Sequence, residues 1–322
     1  MTKVSVIVPN YNHEKFLAPR LESIVNQTYK DFELIILDDA STDNSLEIIE
    51  NYVNHFPGLI KFYPSDQNSG SPFIQWDKGI KCAEGEYIWI AESDDFASIY
   101  FLEYLVPLLE ENKEVGIVCA KSNAINANGI EISEVHPIFR GFEPQLFTTN
   151  VSLTKYFKGI RFIENDLVYR CLIPNVSGIL IRKSNYLGAG GLNLDYKRNG
   201  DYDLYFRLLS FSDIIFYNRT LNNTRYHDEK LTASNNAQSF KELSSILKPI
   251  FNTLKLSSSK RLEIMSFYFT VYKYDIFLND TFSVIEKIKI FKNLSSLSGE
   301  LNIKFFKFCL QRLKIYLAKK LK

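Results

Sequence analysis

The chain has no run of about 20 consecutive apolar residues, which excludes a membrane-spanning helix. Its only early apolar stretch, Lys3-Val4-Ser5-Val6-Ile7-Val8-Pro9, is strand-length. No signal peptide is therefore expected, and the protein is expected to stay in the cytoplasm. Cysteine is scarce: Cys82, Cys119, Cys171 and Cys309 show neither metal-ligand spacing nor a paired pattern. This argues against a disulfide scaffold or a zinc site, and for free thiols, buried or half-buried, in a reducing compartment. Charge of one sign is lacking too, since 38 basic against 37 acidic residues leave a net +1. No general attraction to nucleic acid follows from such a balance. Internal repeats and low-complexity linkers are absent as well.

What is present is an ordinary folded composition, with 46% hydrophobic and 23% charged residues over 322 positions, enough for one large domain or two. Strand and helix patterns alternate through the first 120 residues. Val4–Val8, Phe32–Leu37, Ile60–Tyr63 and Tyr87–Ala91 are apolar runs of strand length. Between them, Glu14–Asn26 carries Phe16, Leu17, Leu21, Ile24 and Val25 on one side of a helix. Ser41-Thr42-Asp43-Asn44 offers N-cap chemistry for the next helix, and Pro72 suits the first turn of a third that ends at Ala83. This order predicts an α/β fold with a mainly parallel sheet flanked by helices. Further on, Val115–Asn126, Ile130–Val135, Val176–Arg182 and Ile214–Tyr217 read as strands and Asp201–Ser210 as a helix, with a mobile segment around Gly141–Asn150. From about Ser234 the pattern is helical.

Carboxylates stand after two of the buried runs: Asp38-Asp39 after the second strand, and Glu92-Ser93-Asp94-Asp95 after Tyr87–Ala91. At the carboxyl ends of strands in an open α/β sheet, such groups face the crevice where ligands bind. Three acids within four residues repel one another unless a cation or protons compensate. Divalent cations bound to diphosphate are typically held by one or two carboxylates plus phosphate oxygens and water. An acidic turn capping a helix near Ser98 would also explain the cluster. Asp201 opens the helix bearing Leu204, Phe206, Leu208 and Leu209. There it either serves the helix dipole or acts as a general base on an attacking hydroxyl. Tyr11, after Pro9, is an aromatic that stacks on a base or fills the rim of the core. Arg225-Tyr226-His227 adds a lone histidine, and His13, His55 and His136 read as surface or loop residues.

Taken together, these pieces resemble the inverting nucleotide-sugar glycosyltransferases of family 2, with the GT-A fold. The matching segments are Val4-Ser5-Val6-Ile7-Val8-Pro9-Asn10-Tyr11-Asn12, Leu21 to Tyr29, Phe32 to Asp43, Gly85 to Ile88 with Glu92 to Asp95, and Asp201-Tyr202-Asp203-Leu204 with Arg207-Leu208. The likeness spans Lys3 to Ser234. It implies a GT-A domain over residues 1–234, with residues 1–120 binding the nucleotide sugar and 121–234 the acceptor, followed by a helical region over 235–322. It further implies that Tyr11 and Asp39 contact the base with Pro9 shaping their loop. Glu92 and Ser93 would face the nucleotide. Asp94, with Asp95 and His227, would hold Mn²⁺ or Mg²⁺, and Asp201 would be the catalytic base. Three departures stand out. Glu92 replaces the usual Asp, Asp77-Lys78-Gly79 replaces a usual Asn, and Phe96-Ala97-Ser98-Ile99 lacks a common proline.

The resemblance implies sugar transfer from a UDP-sugar, or a dTDP-sugar, to a hydroxyl of a glycan or lipid-linked acceptor in surface polysaccharide synthesis. A sugar nucleotidyltransferase would need a Gly-rich basic loop where Pro9-Asn10-Tyr11-Asn12 stands. An inactive glycan-binding scaffold would have lost the acidic set. The last stretch, Lys304–Lys322, has an apolar stripe of Phe306, Leu310, Leu313, Leu317 and Leu321 within a basic surround. Such a helix lies on anionic lipid at the inner face of the membrane, docks on the catalytic domain, or pairs with a second subunit in a homodimer.

Overall fold

The computed structural model describes residues 2–133, 152–227, 237–254, 256–277 and 282–297, together with 303, 304, 307, 308 and 311. The chain divides into two compact units, Met1–Ile163 with Cys171–Lys230, and Glu164–Arg170 with Leu231–Lys322.

The first unit opens with β1 (Val4–Asn10), α1 (Glu14–Val25), β2 (Phe32–Asp38), α2 (Ser45–His55), β3 (Ile60–Pro64), α3 (Pro72–Cys82) and β4 (Tyr87–Ile90). It continues through β5 (Phe96–Ala97), α4 (Phe101–Glu111), β6 (Val115–Asn126), β7 (Glu131–Ser133), β8 (Thr154–Phe157) and α5 (Gly159–Phe162). Then follow β9 (Ile179–Arg182), α6 (Lys183–Gly188), α7 (Gly200–Leu209) and β10 (Asp213–Tyr226). The sheet order is β3-β2-β1-β4-β9-β6-β10-β5, with β7 beside β6 and β8 beside β10. β3, β2, β1 and β4 are parallel neighbours, which their helical crossovers require. β9 then enters antiparallel to both β4 and β6, so the second half of the sheet is mixed.

β1, β2 and β4 are buried along their whole length, as continuous apolar runs in a sheet covered on both faces must be. One core joins Leu17, Leu21 and Ile24 of α1 to Phe101, Leu105 and Leu109 of α4 across these strands. Trp89 stacks on Phe101 with ring centroids 4.2 Å apart. On the other side α3 lies so close that a Cβ on Gly79 would stand 2.5 Å from Ile7 Cγ2 and 2.9 Å from Leu37 Cδ1. Glycine at position 79, inside the Asp77-Lys78-Gly79 departure, is thus what lets the helix seat on the sheet.

Several boundaries differ from the sequence reading. The Ser41–Asn44 turn caps α2 through neither Ser41 nor Asn44. Asp43 accepts the Ser45 and Glu14 N–H groups at 3.0 and 2.9 Å, and Glu14 accepts the Asn44 N–H at 2.8 Å, so α1 and α2 cap each other. Val176–Gly178 is a 3₁₀ turn ahead of β9. The largest difference is β10, which continues through the polar stretch Asn218–Tyr226 well past Tyr217. Buried Asn222 and Thr224 make this polar strand invisible to hydrophobic alternation. Glu131–Ser133 is the described part of the strand expected over Ile130–Val135, and Gly141–Asn150 lies outside the described residues.

The second unit holds α8 (Ala237–Thr253), α9 (Ser258–Val271), a π-helical turn Tyr272–Phe277 and α10 (Val284–Ser295). Its buried apolar side chains include Ile246, Leu247, Phe251, Ile264, Met265, Tyr268, Ile276 and Leu294. The Tyr268 hydroxyl donates to the Val168 carbonyl, and Tyr169 donates to Glu263, so the Glu164–Arg170 segment belongs with these helices. A capping box of Ser283 and Glu286 starts α10. The basic stripe expected over Lys304–Lys322 lies for the most part outside the described residues. No helix among the described residues is long and apolar enough to cross a membrane. Cys82, Cys119 and Cys171 are free thiols.

Candidate functional site

Because β2, β1 and β4 run parallel, their carboxyl ends share one edge of the sheet. There β1 ends at Asn10, opposite Asp38, and Tyr11 follows with 44% of its surface exposed. Pro9 is buried within β1 opposite Leu37. Asp38 is consumed locally. It accepts from Asn10 Nδ2 at 2.8 Å, Ser41 Oγ at 2.6 Å and the Ser41 N–H at 2.8 Å. This turn also forces Ala40 into the left-handed region, at φ 61°.

Asp39 is 5% exposed and faces the loop before α3. Its Oδ1 accepts from the Ser69 N–H at 2.9 Å and from Gln75 Nε2 at 2.5 Å. Its Oδ2 accepts from the same N–H at 3.0 Å and from Ser69 Oγ at 2.7 Å. A carboxylate offers about four lone-pair sites, and these three donors, with the Ser69 N–H shared by both oxygens, take up most of them in Asp39.

The acidic turn after β4 is gripped from several elements. Glu92 receives the Trp76 indole N–H on Oε1 at 2.7 Å. The extra methylene that distinguishes it from Asp is what spans to α3. Ser93, 2% exposed, pairs its Oγ with His13 Nδ1 at 2.8 Å. Asp95 is fully buried and turned inward, accepting from the Arg225 N–H at 2.8 Å and from Asn175 Nδ2 at 2.7 Å. Asp94 places Oδ2 3.2 Å from His227 Nε2. The His227 ring is flanked by His13 and Phe16, at centroid distances of 5.8 and 5.1 Å.

Two buried guanidinium groups stand behind this turn. Arg20 is 0% exposed and donates Nε–H to the Glu92 carbonyl at 2.7 Å. Arg225 is 4% exposed and donates Nε–H to the Asp94 carbonyl at 2.7 Å. Burial pulls the Arg20 guanidinium down to about 10, against the opposing pull of Asp95, Asp94 and Glu92, so it stays cationic at neutral pH. Burial likewise lowers Arg225 against Asp95 and Asp94. The acids therefore carry internal compensation, which the repulsion argument from sequence left out.

Asp201 sits in the first turn of α7, where its Oδ1 accepts the Tyr202 N–H at 2.8 Å. Asp203 is spent on an ion pair with Arg207 at 2.6 Å. The fully buried Tyr205, one helical turn beyond Asp201, has its phenol held well above the ordinary value by burial and then by the charge of Asp201. A Cβ on the preceding Gly200 would lie 3.0 Å from the Phe73 ring, so α7 begins directly against α3.

The start of α3 thereby joins the parts. Phe73 meets Gly200 beside Asp201, Gln75 binds Asp39, and Trp76 binds Glu92, with Phe73 and Trp76 rings edge-to-face at 5.0 Å. Sequence reasoning passed over Trp76, Gln75, Phe73, Arg20 and Asn175, and read His13 as a surface or loop residue, whereas it pairs with Ser93. A signal existed only for Trp76, as one of just 2 tryptophans in the chain. An open cavity of about 560 Å³ lies between α1 and the Ala127–Gly129 turn, with Phe16 and Arg225 among its walls, and none of Asp39, Asp94 or Asp201 lines it.

For a divalent cation, Asp94 and His227 are a partial donor pair. Among the described residues no group of three or more His, Cys, Asp or Glu side chains converges. Such a pair fits an ion that draws its remaining ligands from diphosphate and water.

A mixed sheet whose parallel half ends in an acid-lined edge, with a carboxylate-bearing helix set against it, is the GT-A architecture of enzymes that use nucleotide sugars. The family comparison agrees: the model of glycosyl transferase family 2 matches residues 5–169, and the chain belongs to that family. Among curated relatives, poly(ribitol-phosphate) beta-glucosyltransferase of Bacillus spizizenii is 30% identical over 209 residues, 63% of this chain and 32% of that protein. Poly(ribitol-phosphate) beta-N-acetylglucosaminyltransferase TarS of Staphylococcus aureus is 28% identical over 202 residues, 60% of this chain and 34% of its own length. The match thus spans about a third of those relatives. The crystal structure of S. aureus TarS 1-349 in complex with UDP-GlcNAc superposes with TM-score 0.71 at 18% identity, over 94% of this chain and 83% of that one, a likeness of fold.

Proposed function

We propose that this protein is an inverting glycosyltransferase that moves a sugar from a nucleoside diphosphate sugar, UDP-linked in preference to dTDP-linked, to an acceptor hydroxyl. The observation that carries the reading is the convergence on α3, whose Phe73, Gln75 and Trp76 bring the start of the Asp201 helix together with Asp39 and Glu92. The acceptor class is a glycan, lipid-linked saccharide or polyol-phosphate polymer of a surface polysaccharide. The names of the two poly(ribitol-phosphate) relatives support the last of these.

The exposed Tyr11 ring stacks on the base. Asp39 exchanges a Ser69 donor for the imide N–H of the pyrimidine, so nucleotide arrival loosens the Ser69 loop. Glu92 and Ser93 face the ribose side, held by Trp76 and His13. Asp201 takes the proton of the acceptor hydroxyl, whose oxygen bonds to the anomeric carbon as the carbon–oxygen bond to the diphosphate breaks on the opposite face. Asp94 and His227 would hold Mn²⁺ or Mg²⁺, while Asp95 keeps their turn in shape. The ion would supply charge neutralisation for the departing diphosphate.

Cytoplasmic residence at the inner face of the membrane, or a homodimer, belongs to the same reading. It is supported by the basic C-terminal stripe and by Val284, Ile285 and Ile288 of α10, which are 72, 66 and 54% exposed. Co-sedimentation with anionic vesicles tests the membrane part.

The deciding experiment is a thermal-shift panel of nucleotide sugars with and without Mn²⁺. A true donor at a hundredfold excess over its Kd stabilises by about 2.7 kcal/mol. A panel in which neither UDP- nor dTDP-sugars shift the midpoint overturns the reading.

A further inference from the structure

Arg20 is the one cation buried inside α1, a helix otherwise committed to the apolar core. Its guanidinium lies over the Trp89 ring, 5.7 Å from the centroid, and its only hydrogen bond among the described residues is from Nε to the Glu92 carbonyl. Nη1 and Nη2 are buried and meet no hydrogen-bond acceptor among the described residues. A buried charge is costly unless it is matched. The charges that match it are Asp95, Asp94 and Glu92. The Glu92 carbonyl that takes Arg20 also accepts the Asp95 N–H at 3.2 Å, so the hydrogen bond closes the turn from behind. Arg225 does the same at the Asp94 carbonyl. Both arginines thus bind main chain and leave the Asp94 carboxylate to face His227.

We propose that Arg20 is a positioning residue: it holds the Glu92–Asp95 turn in its binding shape before donor or cation arrives, by neutralising the acids from inside the core. A turn of three acids without such a counter-charge would splay, and the donor would have to supply the order on binding. The loop-holding claim stands on the free protein alone. Its consequence for donor affinity rests on the glycosyl-transfer reading above.

The test uses the full chain with Arg20→Lys, Arg20→Met and, as a control removing an exposed cation from the same helix, Lys15→Met. Hydrogen exchange of a peptide covering residues 90–97 is measured in the free protein, and calorimetry follows UDP with Mn²⁺. Arg20→Met should speed exchange in that peptide with the rest of the sheet unchanged. It should also weaken UDP binding by about 10–100-fold, the usual size for loss of a supporting partner. Arg20→Lys, which keeps the charge without the Nε–H that binds the Glu92 carbonyl, should fall between, and Lys15→Met should match the wild type. Should Arg20→Met not fold, Arg20→Lys decides alone. Exchange and UDP affinity of Arg20→Lys equal to wild type, or an even rise in exchange over the sheet with unchanged UDP affinity, overturns the proposal. A wild-type protein that binds no UDP rejects the glycosyl-transfer reading instead, and the exchange comparison still decides the role of Arg20.

Discussion

Asp94 Oδ2 and His227 Nε2 stand 3.2 Å apart although 133 residues separate them in the chain. The contact exists because β10 runs on to Tyr226 alongside β6, and because Asp95 accepts the Arg225 N–H. The strand end and the acidic turn are thereby tied by a main-chain N–H to carboxylate bond, one residue after Asp94 and two before His227.

If this pair holds the cation, Asp94→Ala and His227→Ala should each weaken Mn²⁺-dependent UDP binding by roughly 10–100-fold. Metal-free UDP binding should change little in either variant. Calorimetric titration with and without Mn²⁺ separates the two, and an unaltered manganese response in both variants removes the assignment.

Asp201→Asn keeps the shape of the residue and removes its basicity. Turnover should drop by about 10²–10⁴-fold, while the thermal shift with UDP stays at its wild-type size. Undiminished transfer by this variant would reject Asp201 as the base.

Glu92 reaches Trp76 by virtue of its length. Glu92→Asp should strand the indole N–H, and Trp76→Phe should remove the donor. Each should lower unfolding stability by about 1–3 kcal/mol and raise the KM for donor. Urea midpoints that match the wild type in both variants would show that the bond carries nothing.

Ala40, at φ 61°, holds a backbone conformation that an L side chain resists. Ala40→Gly should stabilise the protein by about 1 kcal/mol, the relief of left-handed strain less the larger entropy of a glycine in the unfolded chain. A lower melting temperature in this variant would contradict that account.

Glu33, 6% exposed, carries the clearest acid-side dependence. Burial pushes its carboxyl up, but Lys61, Ser5 Oγ and the Glu84 N–H together bring it below its ordinary value of 4.5. A folded value below the unfolded one means that its contribution is complete above 4.5 and is lost as pH falls through the lower folded value. Glu33→Gln should therefore flatten the fall of stability as pH drops below 4.5. An acid limb identical to the wild type would show that Glu33 does not titrate with unfolding.

β1, β2, β4 and β6 and the helices between them were legible from the chain because each is decided locally. Buried parallel strands need unbroken apolar runs, and their crossovers need a stripe at helical spacing. The positions of Asp39, Glu92 to Asp95 and Asp201 followed from the same logic, since each closes a strand or opens a helix. The departures at Glu92 and Gly79 were visible as letters, but their meaning was not.

Local pattern was silent on the polar half of β10, the contacts of Phe73, Gln75 and Trp76 on α3, and the two buried arginines. Asn222, Thr224, Arg20 and Arg225 are all buried against the preference of their residue types. What makes that tolerable is a partner far along the chain, such as the Glu92 and Asp94 carbonyls for the arginines. Hydrophobic spacing is a property of neighbours in sequence and was enough to lay out the sheet. Satisfying a buried polar group depends on neighbours in space, so only the folded chain could say which acids are held inward, as Asp95 is, and which, as Asp94, are turned toward His227.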